Sequence, residues 1–378
     1  MKTTVRIYQI LLTVLFLCMI LFCFWNDVFV FYKVPETSLT ENRKLASKPQ
    51  FDVGKLDPFP KLYENYFNDQ FPFRKDIGFM NTLICFYLFH QSPLPGEVEL
   101  GKNGWLFYDQ KESVVYQGKF TIANWQITSL VKELHDRTLH YRKKGTKFYV
   151  AFPPMKPEIY PEFLPVDFRR APNGTVTDRI VRGIKADTVI QYIDLKEALL
   201  KAKTQERLYY MTDNHWNWVG AFYGYGAIVS RIRQDFPKIK PLTLSDFRFR
   251  ADTLTQGNLS TMIGLAKYMN EINYYPVMNN RKTRQLDSPH KKPDWALEII
   301  NYEVVKTTGD SSLPSTVIIH DSYTDVMRPY FDETFNTNTY IFDGWKYLRN
   351  DEIIDDVKPE IVLLIIFEPH ISHLVGKW

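Results

Sequence analysis

The sequence predicts an α/β fold with a largely parallel sheet, preceded by one N-terminal transmembrane helix. Three observations lead to this prediction. Segments with strand-like and helix-like periodicity alternate from residue 147 onward. The run Ile361–Ile366 is apolar at every position, which is typical of a parallel strand buried on both faces. The stretch Ile7–Trp25 is close to the length that a helix needs to cross a bilayer.

The bulk composition is that of a globular protein with no nucleic-acid partner. The chain has 378 residues, of which 45% are hydrophobic and 24% are charged, and this balance argues against disorder. The net charge of +4 is small and dispersed, so we expect no binding to nucleic acid. The cysteine and histidine spacings resemble no zinc site, and we predict no metal ligands.

The N-terminal residues predict a membrane anchor. Lys2 and Arg6 precede the apolar stretch at residues 7–25, which places the N-terminus in the cytoplasm. Bulky residues after this stretch favour a retained signal-anchor over a cleaved signal peptide. We therefore predict a cytoplasmic stub and transmembrane anchor at 1–34 and a proline-containing linker at 35–60. The expected localisation is single-pass in the cell membrane, with the domain at 61–378 extracytoplasmic, in a periplasm or at the cell surface.

The remaining elements follow in order along the chain. The pattern predicts strands at 147–152, 189–195, 317–320, 339–342 and 361–367. Helical spacing predicts helices at 122–144, 196–203 and 216–233. Residues 240–300 are polar and have no clear period, so they are interpreted as an insertion or a capping lobe.

An Asp-x-His turn is the first half of the candidate catalytic site. Asp213 lies two residues before His215, where a carboxylate can hold one tautomer of the imidazole and stabilise the imidazolium. Taken alone, Asp213 could be a helix N-cap and His215 a structural histidine. Trp216 and Trp218 follow at once and are interpreted as core or pocket wall.

A serine far downstream is the candidate nucleophile. Ser322 follows the run Thr316–Ile319 and therefore lies just past the carboxyl end of a predicted strand, where ligands bind on such sheets. The preceding Asp321 is interpreted as a turn residue. No G-x-S-x-G motif surrounds Ser322, so the arrangement is not that of the standard α/β-hydrolases. We predict that Ser322, His215 and Asp213 form a Ser-His-Asp triad.

Several short motifs resemble one family in their number and order. The chain resembles the SGNH-hydrolase-like proteins of bacterial polysaccharide O-acetylation, which include the alginate O-acetyltransferases and the group named for an Asp-His-His-Trp signature. The motifs that carry the resemblance are at 41–45, 67–74, 101–107, 153–156, 160–162, 210–217, 257–259, 320–323 and 358–362. Asn214 replaces the middle histidine of the signature, and His320 replaces the glycine of the usual Gly-Asp-Ser block.

The resemblance implies a fold, an activity and partners. It implies a three-layer α/β/α domain in which Ser322 is the nucleophile, His215 the base and Asp213 the acid. It also suggests Asn258, Trp216 and Tyr323 as candidate substrate or oxyanion contacts. The implied activity is transfer of an acetyl group through an acyl-serine to hydroxyls of a polysaccharide, with no metal or soluble cofactor. The acetyl donor would come from a multi-spanning membrane acyltransferase.

Two other functions remain open from the sequence. With water as the acceptor, the same triad would be a carbohydrate esterase that removes acetyl groups. A non-catalytic scaffold that binds polysaccharide in an export complex is the alternative from another class. The presence of all three triad residues argues against the scaffold.

Overall fold

A computed structural model describes residues 2–29, 37–38, 43–70, 74–296 and 300–375. The chain divides into two compact units, residues 1–89 and 90–378. The domain boundary predicted at residue 61 stays a prediction.

The first unit contains mainly helices. Its helices are α1 (Lys2–Phe29), α2 (Pro58–Gln70) and α3 (Arg74–Leu83). Two short strands, β1 (Thr37–Ser38) and β2 (Arg43–Lys44), pair in antiparallel fashion.

The structure contradicts the prediction of a transmembrane helix. Residues 7–25 are helical within α1, but no helix in the described part of the chain combines the length and apolar character needed to cross a membrane. Crossing the bilayer core requires about 20 consecutive apolar residues. Gln9 and Thr13 interrupt the apolar run of α1. The predicted single-pass membrane localisation, which depended on that helix, is wrong on the same ground.

The second unit is built around a seven-stranded sheet. The strands of this unit, including those outside the large sheet, are β3 (Val98–Leu100), β4 (Leu106–Tyr108), β5 (Lys147–Ala151), β6 (Gln191–Ile193), β7 (Phe247–Leu254), β8 (Glu271–Met278), β9 (Arg284–Leu286), β10 (Glu303–Thr307), β11 (Thr316–Ile319), β12 (Thr337–Ile341) and β13 (Ile361–Ile365). The large sheet has the order β6-β5-β13-β11-β12-β10-β9. The pairs β3–β4 and β7–β8 form separate antiparallel ribbons.

The sheet is mixed, which corrects the prediction of a largely parallel sheet. Strands β6, β5, β13, β11 and β12 run parallel, but β10 is antiparallel to both β12 and β9. The physical reason is the short connection after β10. Residues 308–315 contain no helix, and a parallel crossover needs a dozen or more residues.

The strands predicted for the parallel part of the sheet, and the three predicted helices, are confirmed with ends shifted by a few residues. The helices of the second unit are α4 (Val114–Tyr116), α5 (Asn124–Lys143), α6 (Lys156–Ile159), α7 (Val176–Ala186), α8 (Leu195–Ala202), α9 (Trp218–Asp235), α10 (Asn258–Met262), α11 (Arg328–Asp332), α12 (Asp351–Val357) and α13 (Ser372–Val375). Every residue of β11 and β13 is buried. Because successive strand residues point to opposite faces, this pattern means that both faces of the central sheet are covered.

The region at 240–300, whose secondary structure the sequence did not predict, contains the β7–β8 ribbon and the short helix α10. Residues 271–278 of β8 pair with residues 247–254 of β7 along their whole length. Helix α10 begins after Gly257. Both elements contact the turn that carries Asp213, so this region belongs to the surroundings of the candidate site.

Candidate active site

The Asp-x-His turn lies between helices α8 and α9. A short antiparallel bridge between Tyr209 and Trp216 closes this turn. The Asn217 side chain accepts a hydrogen bond from the Gly220 amide at 2.9 Å and is therefore the N-cap of α9. The interpretation of Asp213 as a helix cap is wrong, because that position is occupied by Asn217.

The carboxylate of Asp213 is fixed by three N–H donors. Oδ1 accepts from the backbone N–H of His215 at 2.9 Å and from its ring Nδ1 at 2.7 Å, while Oδ2 accepts from the amide of Asn258 at 2.8 Å. Burial by itself would raise the pKa of Asp213. The hydrogen bonds and the nearby imidazole outweigh burial and lower this pKa to about 2. Asp213 is therefore ionised and holds Nδ1 of His215 protonated.

The nucleophile candidate lies on a tight turn after the central strand β11. Ser322 begins a short 3-10 helix that ends at Thr324, and the Asp321 side chain caps it by accepting from the Tyr323 amide at 3.1 Å. The other oxygen of Asp321 accepts from the Phe367 amide at 2.6 Å and from the Tyr347 hydroxyl at 2.8 Å. Asp321 is thus a buried anchor that ties the serine turn to the end of β13.

The structure brings Ser322, His215 and Asp213 together. Nε2 of His215 lies 2.9 Å from Oγ of Ser322, across 107 residues of sequence. Because Nδ1 donates to a carboxylate, Nε2 is the acceptor for the serine hydroxyl. The side chains of His215 and Asp213 are 21% and 17% exposed, so the pair is largely shielded from solvent but not fully buried.

The three other predicted site residues surround this triad in different ways. Asn258 is exposed, and its Nδ2 donates to Oδ1 of Asn214 at 3.2 Å in addition to the backbone bond to Asp213. Trp216 is buried, and its indole N–H donates to the carbonyl of Tyr323 at 2.9 Å. The buried Tyr323 ring lies 4.7 Å from the His215 ring, and its hydroxyl donates to the Asn214 carbonyl at 2.7 Å. Trp216 and Tyr323 therefore support the triad from inside the protein.

His320, which stands where the usual block has glycine, has a structural environment. Its Nδ1 donates to the Asp321 carbonyl at 2.9 Å, and its Nε2 accepts from Arg328 at 3.0 Å. Burial, together with the positive charge of Arg328, lowers the pKa of His320 to about 3. A neutral His320 therefore braces the serine turn.

Sequence reasoning missed a buried lysine beneath the Asp-x-His turn. Lys156 is fully buried, and its Nζ donates to the carbonyls of Tyr210, Met211 and Asp213 at 3.1, 3.3 and 2.6 Å. Burial lowers the pKa of Lys156 to about 8. The Pro153-Pro154-Met155-Lys156 motif marks the segment, but no local pattern reveals a contact with residues more than fifty positions away.

Two buried glutamates lie near this turn. Glu271 of β8 accepts from the amides of Met211 and Thr212 at 3.0 and 2.9 Å. Glu112 is fully buried near Lys156, and burial raises its pKa to about 8, with the charge of Lys156 acting in the opposite direction. Neither glutamate lies in a sequence pattern that indicates its role.

The arrangement supplies the parts that nucleophilic acyl chemistry needs. His215 is placed to take the proton of the Ser322 hydroxyl, and Asp213 is placed to stabilise the imidazolium that forms. The triad lies beside the carboxyl end of a central strand, where α/β sheets bind ligands.

Comparisons with known proteins identify the family. Residues 98–311 match the family described as SGNH hydrolase-like domain, acetyltransferase AlgX. That range includes Asp213, His215 and Asn258, while Ser322 lies beyond it. The probable alginate O-acetylase AlgJ of Pseudomonas aeruginosa is 23% identical over 246 residues, which are 64% of this chain and 61% of that protein. The probable alginate O-acetylase AlgJ of Pseudomonas syringae pv. tomato is 27% identical over 177 residues, 47% of this chain and 43% of that protein. The chain thus spans less than two thirds of the length of either relative.

Solved structures support the same fold. Bacillus cereus PatB1 with a sulfonyl adduct superposes with a TM-score of 0.54 at 17% identity, covering 74% of this chain and 97% of PatB1. A second PatB1 structure gives a TM-score of 0.51 at 19% identity, with 72% and 95% covered. At these identities the likeness concerns the α/β fold alone. Because the family match covers more than half of the sequence, the chain belongs to the SGNH hydrolase-like acetyltransferase AlgX family.

Proposed function

We propose that this protein is a serine O-acetyltransferase that moves an acetyl group to hydroxyls of a polysaccharide. The observation that carries the proposal is the continuous hydrogen-bonded chain from Ser322 Oγ through His215 to Asp213, with distances of 2.9 and 2.7 Å. Family membership and the alginate O-acetylase names of the two curated relatives support acetyl transfer as the reaction.

In the first half-reaction, Nε2 of His215 takes the proton from Ser322 while Oγ attacks the acetyl carbonyl. The Tyr323 and Thr324 amides are already bonded to Asp321, so the Ser322 amide is the N–H of this turn that we assign to the developing oxyanion. The Asn258 side chain carries a second Nδ2 hydrogen besides the one bonded to Asn214, and we assign it as a further donor. Collapse of the tetrahedral intermediate expels the leaving group, which His215 protonates.

In the second half-reaction, a sugar hydroxyl attacks the acetyl-serine. His215 takes the hydroxyl proton and returns a proton to Ser322 Oγ as the ester bond breaks. The products are an O-acetylated sugar and the free serine. The acetyl donor is proposed to come from a multi-spanning membrane acyltransferase, which is the partner that the family resemblance implies.

Water is the competing acceptor for the same acyl-enzyme. We would incubate the full-length protein with 4-nitrophenyl acetate and de-acetylated alginate, and measure both acetylated polymer and free acetate. Transfer to polymer in excess of acetate release supports the transferase. Acetate as the sole product, at every polymer concentration, would make the protein an esterase.

The controls separate the triad from other nucleophiles. Ser322→Ala and His215→Ala are expected to abolish both products. Ser311→Ala removes an exposed serine in the same part of the sequence and is expected to behave as the wild type. Equal product formation by the wild type and Ser322→Ala would contradict the proposed nucleophile.

A further inference from the structure

A cavity that no triad residue lines lies at the carboxyl ends of three neighbouring parallel strands. Pro154, Asp194 and Glu368 line it, and they come shortly after β5, β6 and β13. These strands are adjacent in the order β6-β5-β13. The cavity has a volume of about 350 Å³, within the range of roughly 300–1,000 Å³ that is usual for small-molecule sites. Because open α/β sheets bind ligands at this edge, the cavity is a second candidate site.

Two hydrogen-bonding groups of the cavity have no partner within the described residues. Glu368 is 7% exposed, and its Oε2 accepts from the Met155 amide at 3.0 Å, while its Oε1 makes no hydrogen bond. The hydroxyl of the half-buried Tyr192 makes none either. Burial, together with the charge of Glu158, raises the pKa of Glu368 to about 8, so its carboxyl group is largely protonated at neutral pH. Since Oε2 is the acceptor, we place the proton on Oε1, and both groups can donate to a ligand.

The cavity also has one arginine whose charge is not paired. Asp178, Arg182 and Lys185 of α7 border the cavity together, because residues three or four apart share a face of a helix. Ion pairs neutralise the other charged side chains around the cavity: Arg170–Asp178, Lys185–Asp194 and Lys196–Glu158. The exposed Arg182 makes no hydrogen bond or ion pair with any described residue. Its guanidinium is therefore free to bind the acidic group of a ligand.

We propose that this cavity binds a small organic anion, with its acidic group on Arg182 and further oxygens on Glu368 and Tyr192. All three protein groups donate, so the ligand must present acceptors, and a guanidinium binds carboxylates and phosphates through parallel N–H donors. Apolar walls accommodate the carbon body of the ligand, since the Phe152 and Tyr192 rings lie 5.3 Å apart and Val181 also lines the cavity. A sugar phosphate and a hydroxycarboxylate share this chemistry. The inference goes beyond the proposed acetyl transfer and does not depend on it.

Isothermal titration calorimetry of the full-length protein at neutral pH tests the site with D-glucose 6-phosphate, citrate and uncharged D-glucose. At least one of the two anions is expected to bind, with D-glucose at least about tenfold weaker, because the contact with Arg182 needs a charge. Arg182→Ala should weaken anion binding about tenfold for the same reason. Val181→Phe should also weaken it, because the larger side chain narrows the cavity. Arg142→Ala is the matched control, since Arg142 is an exposed arginine near the end of α5 that does not line the cavity, and binding should be unchanged.

Three results would overturn the site: no binding of either anion, D-glucose binding as tightly as the anions, or equal anion affinity in the wild type and either folded cavity variant. Thermal unfolding shows whether Val181→Phe retains the fold, and the exposed Arg182 gives the test if it does not. Binding of D-glucose 6-phosphate alone would assign a phosphate ester as the ligand, and binding of citrate alone a hydroxycarboxylate. The assay contains no acetyl donor. Failure of this site would therefore leave the proposed acetyl transfer standing, and absence of acetylation at Ser322 would leave the cavity site standing.

Discussion

Replacing Asp213 by asparagine is the most informative perturbation of the site. The substitution keeps the size of the side chain but exchanges one carboxylate oxygen for an NH2 group. All three N–H groups on Asp213, from Asn258 and from the backbone and ring of His215, require an acceptor. With its oxygen towards His215, the amide keeps both His215 donors, but its NH2 group opposes the Asn258 amide and no charge remains to stabilise the imidazolium. With its oxygen towards Asn258, its NH2 group faces Nδ1 of His215. Nδ1 must then accept, the proton moves to Nε2, and His215 can no longer take the proton of Ser322.

The structure gives the size of two effects. Loss of the carboxylate charge is expected to lower the rate of acyl-enzyme formation by more than about tenfold in the first orientation, and the wrong tautomer lowers it by about 10⁴-fold in the second, as for the equivalent change in serine proteases. The pKa of Asp213 lies near 2, below its ordinary value of 3.8, so ionised Asp213 contributes about 2 kcal/mol to the free energy of unfolding. Because the folded pKa is the lower one, this stabilisation is present above about pH 4 and is lost as the pH falls towards 2.

The assay compares Asp213→Asn with Asp235→Asn. The pKa of Asp235 is also lowered to about 2, against burial that would raise it, by hydrogen bonds from Tyr149 and Arg231 at the far end of α9. Both variants should unfold more easily at neutral pH, as measured by urea denaturation. The rate of acylation by 4-nitrophenyl acetate should fall strongly in Asp213→Asn but not in Asp235→Asn. Acylation by Asp213→Asn within tenfold of the wild-type rate would refute the assigned role of the carboxylate.

Three further predictions concern residues around the catalytic turn. Lys156→Met removes the Nζ donor from carbonyls of the turn. We expect the free energy of unfolding to fall by about 2–4 kcal/mol and kcat for ester hydrolysis to fall with it. An unchanged Tm and kcat would contradict this. Glu112→Gln should flatten the pH dependence of stability. Because the folded pKa of Glu112 is raised, the wild type loses stability as the pH rises from about 4.5 to 8. Relative to the wild type, the variant should therefore have a Tm that is several degrees higher at pH 8 than at pH 5. Parallel Tm profiles of the two proteins would exclude this contribution. Gly257→Ala places a Cβ 2.5 Å from the carbonyl oxygen of Thr212, so the turn must shift, and we expect reduced acylation and a lower Tm; wild-type values for both would show that the turn tolerates the displacement.

Much of the α/β core could be predicted because its signals are local. The run Ile361–Ile366 is apolar throughout, and β13 occupies residues 361–365 of it with every residue buried. The close spacing of Asp213 and His215, and the position of Ser322 after β11, likewise follow from short stretches of sequence. The 2.9 Å contact between His215 and Ser322 is a property of the folded chain, and it agrees with the predicted grouping of the three residues.

The remaining features depend on contacts that no local pattern encodes. Lys156 meets the Asp213 carbonyl across 57 residues, and Glu271 meets Thr212 across 59. The antiparallel β10 follows from the length of a connection and not from its hydrophobic pattern. The prediction for residues 7–25 used the apolar length and the flanking residues of the segment, and the described helices do not satisfy the requirements for a membrane span.

The central claim is that Ser322 carries the acetyl group. Its most direct test is the intact mass of the full-length protein after brief incubation with 4-nitrophenyl acetate, followed by peptide mapping of the modified residue. The account predicts a gain of one acetyl group on the peptide that contains Ser322. The gain should be absent in Ser322→Ala and present at the wild-type level in Ser311→Ala. An acetyl group on another residue, or none on a folded wild-type protein that turns over the ester, would contradict it.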